Sequence, residues 1–249
     1  MKSLNREDLF QIIDKKEMKK LYGFESCGLI VRKGGYLFPK LICKEMIAHQ
    51  NIKISCNHHF DGWNKNKSKL DIHFLNQEKK SGFDDLIIAN GSGLTKYVSG
   101  LKISKGQLVG LRGEQPINLD LPINSAGYIL PKINNITWIG STHEREFNDA
   151  DICHKTGQKL IERTNRNFNI NLAGSDDMLM EARFRIGSKD RLPLAGKIEE
   201  NIYTIGALGS RGFSLGPLLG DYVASLINNS PSPISSGIAL AIEPLRFKD

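Results

Sequence analysis

The spacing of apolar residues changes several times along the chain, and each change predicts a different element. Residues 3–20 place Leu4, Leu9, Ile12 and Ile13 among charged side chains as a surface helix does. Gly28-Leu29-Ile30-Val31 reads as a short strand, followed by the turn sequence Gly34-Gly35-Tyr36-Leu37-Phe38-Pro39, with Tyr36 expected in the core. From Pro39 to Gln50 the residues Leu41, Ile42, Met46 and Ile47 share one helical face. Pro39 suits the first helical position, where its missing N–H leaves no bond unmade. Ile52-Lys53-Ile54 predicts another short strand.

Residues 57–85 switch to a period of two. Leu70-Asp71-Ile72-His73-Phe74 alternates, Trp63 precedes it, and polar turns separate the runs, as in an antiparallel β-meander. Asp84-Asp85-Leu86-Ile87-Ile88-Ala89-Asn90-Gly91 is instead a continuous apolar run ending in small residues. It predicts a buried parallel strand that delivers its C-terminal end to a ligand. The middle, 97–185, holds β-type runs at Gln107 to Leu111, Tyr128 to Pro131 and Ile136 to Ser141, then a polar helix from Asp149 to Asn165 opened by acidic residues. Asn201 to Leu208 returns to a buried strand and enters Gly209-Ser210-Arg211-Gly212-Phe213-Ser214-Leu215-Gly216-Pro217. A helix follows with Leu218, Leu219, Tyr222, Val223, Leu226 and Ile227 as its stripe, stopped by Pro231 and Pro233. The expectation is a mixed α/β chain in three parts: an α/β part over 1–96, an antiparallel subdomain over 97–185, and a returning α/β part over 186–249.

The 249 residues are 40% hydrophobic, enough for a core and inconsistent with a disordered or fibrous chain. No apolar run approaches the roughly 18 residues a membrane span needs. The first eight residues carry acids and no apolar segment, unlike a signal peptide, so a cytoplasmic protein with no membrane partner is expected. Cys27, Cys43, Cys56 and Cys153 are scattered, and His58-His59 lacks further ligands nearby, so no metal is expected. The net charge of +7 suits an anionic partner such as RNA, although the basic residues are spread along the chain rather than clustered.

The strand, glycine loop and helix over 202–227 carry the strongest chemical signal. Gly209, Gly212 and Gly216 let backbone approach a ligand, and the helix start offers free N–H groups to a phosphate or delocalised anion. A tight turn that needs glycine only for steric reasons explains the same spacing. No Gly-x-Gly-x-x-Gly lies between a strand and a helix, and neither a phosphate loop nor a Gly-x-Ser-x-Gly elbow occurs.

Several segments nonetheless resemble one family in register. Gly206-Ala207-Leu208-Gly209-Ser210-Arg211-Gly212-Phe213 and the run to Ile227 resemble the C-terminal flavin loop of the FAD-dependent domain of bifunctional tRNA 5-methylaminomethyl-2-thiouridine biosynthesis proteins. Arg185 and Ser188-Lys189-Asp190-Arg191-Leu192-Pro193-Leu194-Ala195-Gly196 resemble that family's Thr-Arg-Asp-His-Leu-Pro segment, with Lys189 in place of Arg and Arg191 in place of His. Gly34 to Pro39, Ile88-Ala89-Asn90-Gly91, Lys105-Gly106-Gln107 and Gly140-Ser141-Thr142-His143-Glu144-Arg145 fall in the same order.

The resemblance implies a D-amino-acid-oxidase-like flavoprotein fold with an interleaved antiparallel substrate subdomain, here lacking the first βαβ unit. It implies FAD as cofactor and tRNA, at a modified wobble uridine, as partner. The reaction implied is oxidative removal of the carboxymethyl group of 5-carboxymethylaminomethyl-uridine. Ala89, Gly91, Gly209, Ser210, Arg211, Gly212 and Phe213 would hold the flavin, and Arg185 or Lys189 the substrate carboxylate. A strand-edge ion pair with Glu181 or Asp190 is the other role open to those two cations, and a surface position the other reading of Arg211. His143-Glu144 reads as a turn. A separate chain would carry the missing FAD-binding unit and a methyltransferase. Two alternatives stand beside this one: a noncatalytic remnant or RNA-binding accessory, and a small-amine oxidase of the glycine or sarcosine type. A sheet without its central strands would leave the faces of 86–90 and 202–207 partly unpaired.

Overall fold

The computed structural model describes residues 8–75, 77–125, 127–175 and 177–247. In place of one helix over 3–20, the chain forms strand β1 (Phe10–Ile13) and helix α1 (Lys15–Tyr22). Asp14 makes the break: its carboxylate accepts the Glu17 amide at 2.8 Å and caps the helix, so the backbone before it is extended. Leu4 lies outside the described residues. The chain continues through β2 (Gly28–Val31), α2 (Pro39–Met46) and the strands β3 (Phe60–Asn66), β4 (Lys69–Phe74), β5 (Gln77–Phe83) and β6 (Leu86–Ile88). A 3₁₀ turn over Gly91–Lys96 leads to β7 (Leu101–Arg112), β8 (Ile123–Asn124), β9 (Tyr128–Ile129), β10 (Ile136–Gly140) and α3 (His154–Phe168). The last elements are β11 (Leu179–Ser188), β12 (Leu194–Glu199), β13 (Ile202–Gly206), α4 (Gly212–Ile227) and α5 (Ser236–Ala241). No described helix is long and apolar enough to cross a membrane.

The chain divides into two compact units, and β7 and β11 run through both. The first unit contains residues up to His49, Lys105–Glu144 and Asn148–Arg183. Its sheet has the order β11-β7-β10-β9-β8, with Trp138 of β10 opposite Gly110 of β7. Helix α3 buries Leu160, Ile161 and Phe168 with Val109, Leu111, Ile129 and Ile139 of this sheet and with Phe24. Phe24, Met18 and Tyr22 tie the N-terminal segment to this core. Helix α3 starts at His154 rather than Asp149. Asp149 accepts the Asp151 amide in a turn, and the fully buried Gln107 takes the Cys153 N–H at 2.8 Å and donates to its carbonyl at 2.9 Å. Tyr36, expected in the core, is exposed and packs edge-on against Phe38, and α2 buries none of its residues. Residues 52–54 form no strand.

The second unit contains Gln50–Ser104, Arg145–Phe147 and the chain from Phe184 onward. The meander predicted over 57–85 is present as β3-β4-β5, with Trp63 opposite Ile72. A second sheet has the order β12-β13-β6, in which β12 and β13 are antiparallel and β13 and β6 parallel. Leu70 and Ile72 of the meander pack with Ile88, Leu194 and Ile202 on one face of that sheet. On the other face Ala195 and Tyr203 pack with Leu219, Tyr222 and Val223 of α4 and with Ile242.

Ile202 has no solvent exposure and lies between the meander and the sheet. Ile202→Ala is expected to lower stability by about 2–5 kcal/mol. Urea unfolding should show this as a lower midpoint with an unchanged slope.

Candidate functional site at the paired strand ends

The parallel register sets Ile88 beside Thr204, so β6 and β13 end at the same edge of their sheet. The Thr204 hydroxyl, fully buried, donates to the Ile88 carbonyl at 2.7 Å and fixes the two ends together. Beyond them Ala89–Gly91 and Ala207–Phe213 lead away as two neighbouring turns, which brings the predicted residues Ala89, Gly91, Gly209, Ser210, Arg211, Gly212 and Phe213 to one region of the second unit. Gly209 has φ +57, a conformation a Cβ disfavours. Its N–H donates to the Ile186 carbonyl at 2.9 Å, and Gly187 forms a bridge with Leu208, so the end of β11 is stitched to the glycine loop.

Helix α4 begins at Gly212, several residues before Leu218. Its N-terminus has no side-chain cap and no acidic residue in the first turn. A Cβ at Gly209, Gly212 or Gly216 would meet no atom within 4 Å, so the loop faces open space. The unsatisfied N–H groups and the positive end of the helix dipole make this a place for electron-rich atoms.

Arg185 lies on β11, half-buried, two residues before the Gly187 bridge. Lys189 follows the strand; its N–H donates to the Gly100 carbonyl at 2.9 Å and its side chain is exposed. The Asp190 carboxylate, one of the two predicted ion-pair partners of these cations, turns instead to Arg246: Nε reaches Oδ2 at 2.8 Å and Nη2 reaches Oδ1 at 2.9 Å. The other, Glu181, faces Lys40 at 3.5 Å. Asp190 also accepts the Ser188 hydroxyl at 2.7 Å and the Leu192 amide at 3.0 Å, while Arg246 donates to the Leu192 carbonyl at 3.2 Å. The guanidinium, helped by those donors, holds the Asp190 carboxyl far below the ordinary carboxylate range. Arg211 is held in turn, with Nη2 donating to the carbonyl of Arg191, a residue at φ +66. Sequence reasoning missed Arg246, which meets Asp190 across 56 positions of chain with no motif to announce it. Of the pair His143-Glu144, the Glu144 carboxylate accepts the Thr142 hydroxyl at 2.7 Å, and its backbone pairs with Lys105.

Removing the clamp has a definite signature. Arg246→Met should free the segment 188–194, so trypsin cuts after Lys189 and Arg191 several-fold faster. Because the folded-state pKa of Asp190 is depressed, the clamp contributes fully above the unfolded value of about 3.9 and is lost as pH falls through the folded value. The difference in Tm between the parent chain and Arg246→Met should therefore stay constant from about pH 5 to 7 and shrink below about pH 3.

The family model "FAD dependent oxidoreductase" matches residues 1–226. The tRNA 5-methylaminomethyl-2-thiouridine biosynthesis bifunctional protein MnmC of Campylobacter jejuni is 28% identical over 253 residues, covering 87% of this chain and 40% of that protein. The protein of the same name from Legionella pneumophila is 23% identical, covering 96% and 40%. The chain thus spans about 40% of the length of the curated relatives it matches. Among solved structures, glycine oxidase from Geobacillus kaustophilus superimposes with a TM-score of 0.79 at 17% identity, covering 96% of this chain and 68% of that one. L-proline dehydrogenase from P. horikoshii gives 0.73 at 15% identity, covering 96% and 68%. The mixed α/β architecture with its antiparallel unit is that of these enzymes, and the chain belongs to the FAD dependent oxidoreductase family.

Proposed function

We propose that this chain is the flavin-ring and substrate portion of an FAD-dependent oxidoreductase that removes the carboxymethyl group from 5-carboxymethylaminomethyl-(2-thio)uridine at a tRNA wobble position, leaving the aminomethyl form. The observation that carries the reading is the joining of three segments at one sheet edge: the end of β6, the Gly209–Phe213 loop and the end of β11. The residues fit part of the cofactor. The open glycine loop and the uncapped N-terminus of α4 suit the electron-rich edge of a flavin ring, and Gly91 at φ +62 leaves the β6 turn equally open. No Gly-x-Gly-x-x-Gly is present in this sequence to cradle the pyrophosphate, so that part of the cofactor would be held by residues outside it.

FAD supplies the acceptor for the hydride that leaves the carbon beside the amine. The chain's residues bind and orient. Gly209, Ser210, Gly212 and Phe213 would present backbone to the ring, and the α4 dipole would favour negative charge there. Arg211, tethered to Arg191, would add a fixed positive charge. Arg185 or Lys189 would pair with the substrate carboxylate, holding the methylene between carboxylate and amine toward the ring. Water completes the reaction by hydrolysing the resulting imine to the primary amine and glyoxylate. A tRNA substrate places the protein in the cytoplasm.

Two measurements test the reading. The purified chain should shift the visible spectrum of added FAD once its partner polypeptide is present. Bulk tRNA from a strain lacking the gene should accumulate the carboxymethylaminomethyl nucleoside. An unchanged nucleoside profile together with oxidation of free glycine or sarcosine would replace tRNA with a small amine, the substrate type named for the glycine oxidase neighbours. Absence of both changes would leave a noncatalytic chain.

A further inference from the structure

Apart from glycine, the described residues at positive φ are six asparagines, Lys67, Ala207 and Arg191. Asparagine tolerates that region because its short amide bonds locally, whereas a long side chain on Cβ is crowded there. Arg191, at φ +66, is an outlier, and the turn that holds it is fixed on both sides. Its N–H donates to the Ser188 carbonyl at 3.2 Å, and its carbonyl accepts from the Arg211 guanidinium. The next amide, of Leu192, donates to Asp190 at 3.0 Å. Residue 191 enters these bonds through its backbone alone, and glycine would make them with less strain. The Arg191 guanidinium takes no part in the turn. It is exposed, and among the described residues it has no ion pair, because the neighbouring Asp190 is engaged by Arg246.

We propose that Arg191 is a specificity-determining residue: it binds a phosphate of the RNA backbone beside the reacting nucleotide and so ties the site to polynucleotide substrates. This rests on the proposed function, in which the substrate is a wobble uridine within tRNA. Such a substrate brings two kinds of negative charge. Its one carboxylate needs one cation, which Arg185 or Lys189 supplies, and Arg211 in the glycine loop is directed to the Arg191 carbonyl. Arg191 is left over from both tasks. A free small amine with a single carboxylate offers it no further anion, whereas a nucleotide inside RNA carries a phosphate on either side. The planar guanidinium suits that group, since two of its N–H donors meet two phosphate oxygens in parallel. Because the turn is fixed, the side chain starts from an ordered Cα and less freedom is lost on binding. The carboxylate that would repel a phosphate here, Asp190, is already neutralised by Arg246.

The test removes the side chain and keeps the turn. The full chain and its variants Arg191→Gly, Arg191→Asn and Arg191→Lys are titrated with a fluorescent anticodon stem-loop RNA from about 50 to 200 mM salt. Arg191→Gly and Arg191→Asn should weaken binding about three- to tenfold and lower the slope of log K against log salt by about 0.7–0.9, the share of one phosphate. Arg191→Lys should keep the parent slope. The urea midpoint of Arg191→Gly should equal or exceed the parent's, because glycine relieves the crowding at positive φ. Lost affinity with intact stability is then a lost contact. Equal affinity and slope in the parent and Arg191→Gly, or no RNA binding by the parent, would overturn the proposal. So would a midpoint that falls in all three variants, which marks a structural residue. A loss seen with ADP as the probe and not with RNA would assign the phosphate to the cofactor and overturn it as well. The two readings fail separately. RNA binding that depends on Arg191, with unchanged tRNA nucleosides in the strain lacking the gene, rejects the function and keeps the contact. An altered nucleoside profile, with Arg191→Gly binding RNA as the parent does, is the reverse.

Discussion

The parallel pairing of β13 with β6 is the constraint on which the second unit depends. It joins segments more than a hundred residues apart, and the buried Thr204 hydroxyl bonded to the Ile88 carbonyl holds their ends in one register. A slip by one residue would exchange Ile202 and Thr204, which face the meander, for Tyr203 and Ile205, which face α4. Both hydrophobic layers would be lost together. The two turns that follow the strands inherit their placement from this register, so the site is a consequence of the sheet's packing.

Around those turns the chain spends its polar interactions on holding loops still. Asp190 draws three donors, from Arg246, Ser188 and Leu192, and Arg211 reaches the Arg191 carbonyl. Each bond to a charged group is worth about 1.5–3 kcal/mol at most and much less where water competes. Their joint effect is conformational. They hold Arg191 at positive φ and fix the segment between β11 and β12, so that Lys189 and Arg211 project from ordered backbone. With Asp190 neutralised by Arg246, the charge remaining on these loops is positive, which suits an anionic substrate group.

The antiparallel unit uses the same device inside its core. Gln107 is a polar side chain with no exposure, and it is tolerated because its amide satisfies both backbone groups of Cys153. The pairing sets where α3 begins and so which face of that helix meets Val109 and Ile139.

Much of this was legible in the residues. Alternation over 70–74 identified the meander, the unbroken run at 86–91 identified a parallel strand, and glycine spacing after 206 located the turn at the start of α4. These are local patterns, set by side-chain period and by the backbone freedom of glycine. The motif order carried the family, and with it the cofactor. What the sequence alone did not determine depends on partners distant in the chain. The Asp14 cap divides the first segment, and Tyr36 stays exposed beside Phe38. Arg246 claims Asp190, and the N-terminal segment joins the antiparallel core through Phe24. Only the tertiary structure decided these, because an ion pair or a packing contact is fixed by which surfaces the fold brings together.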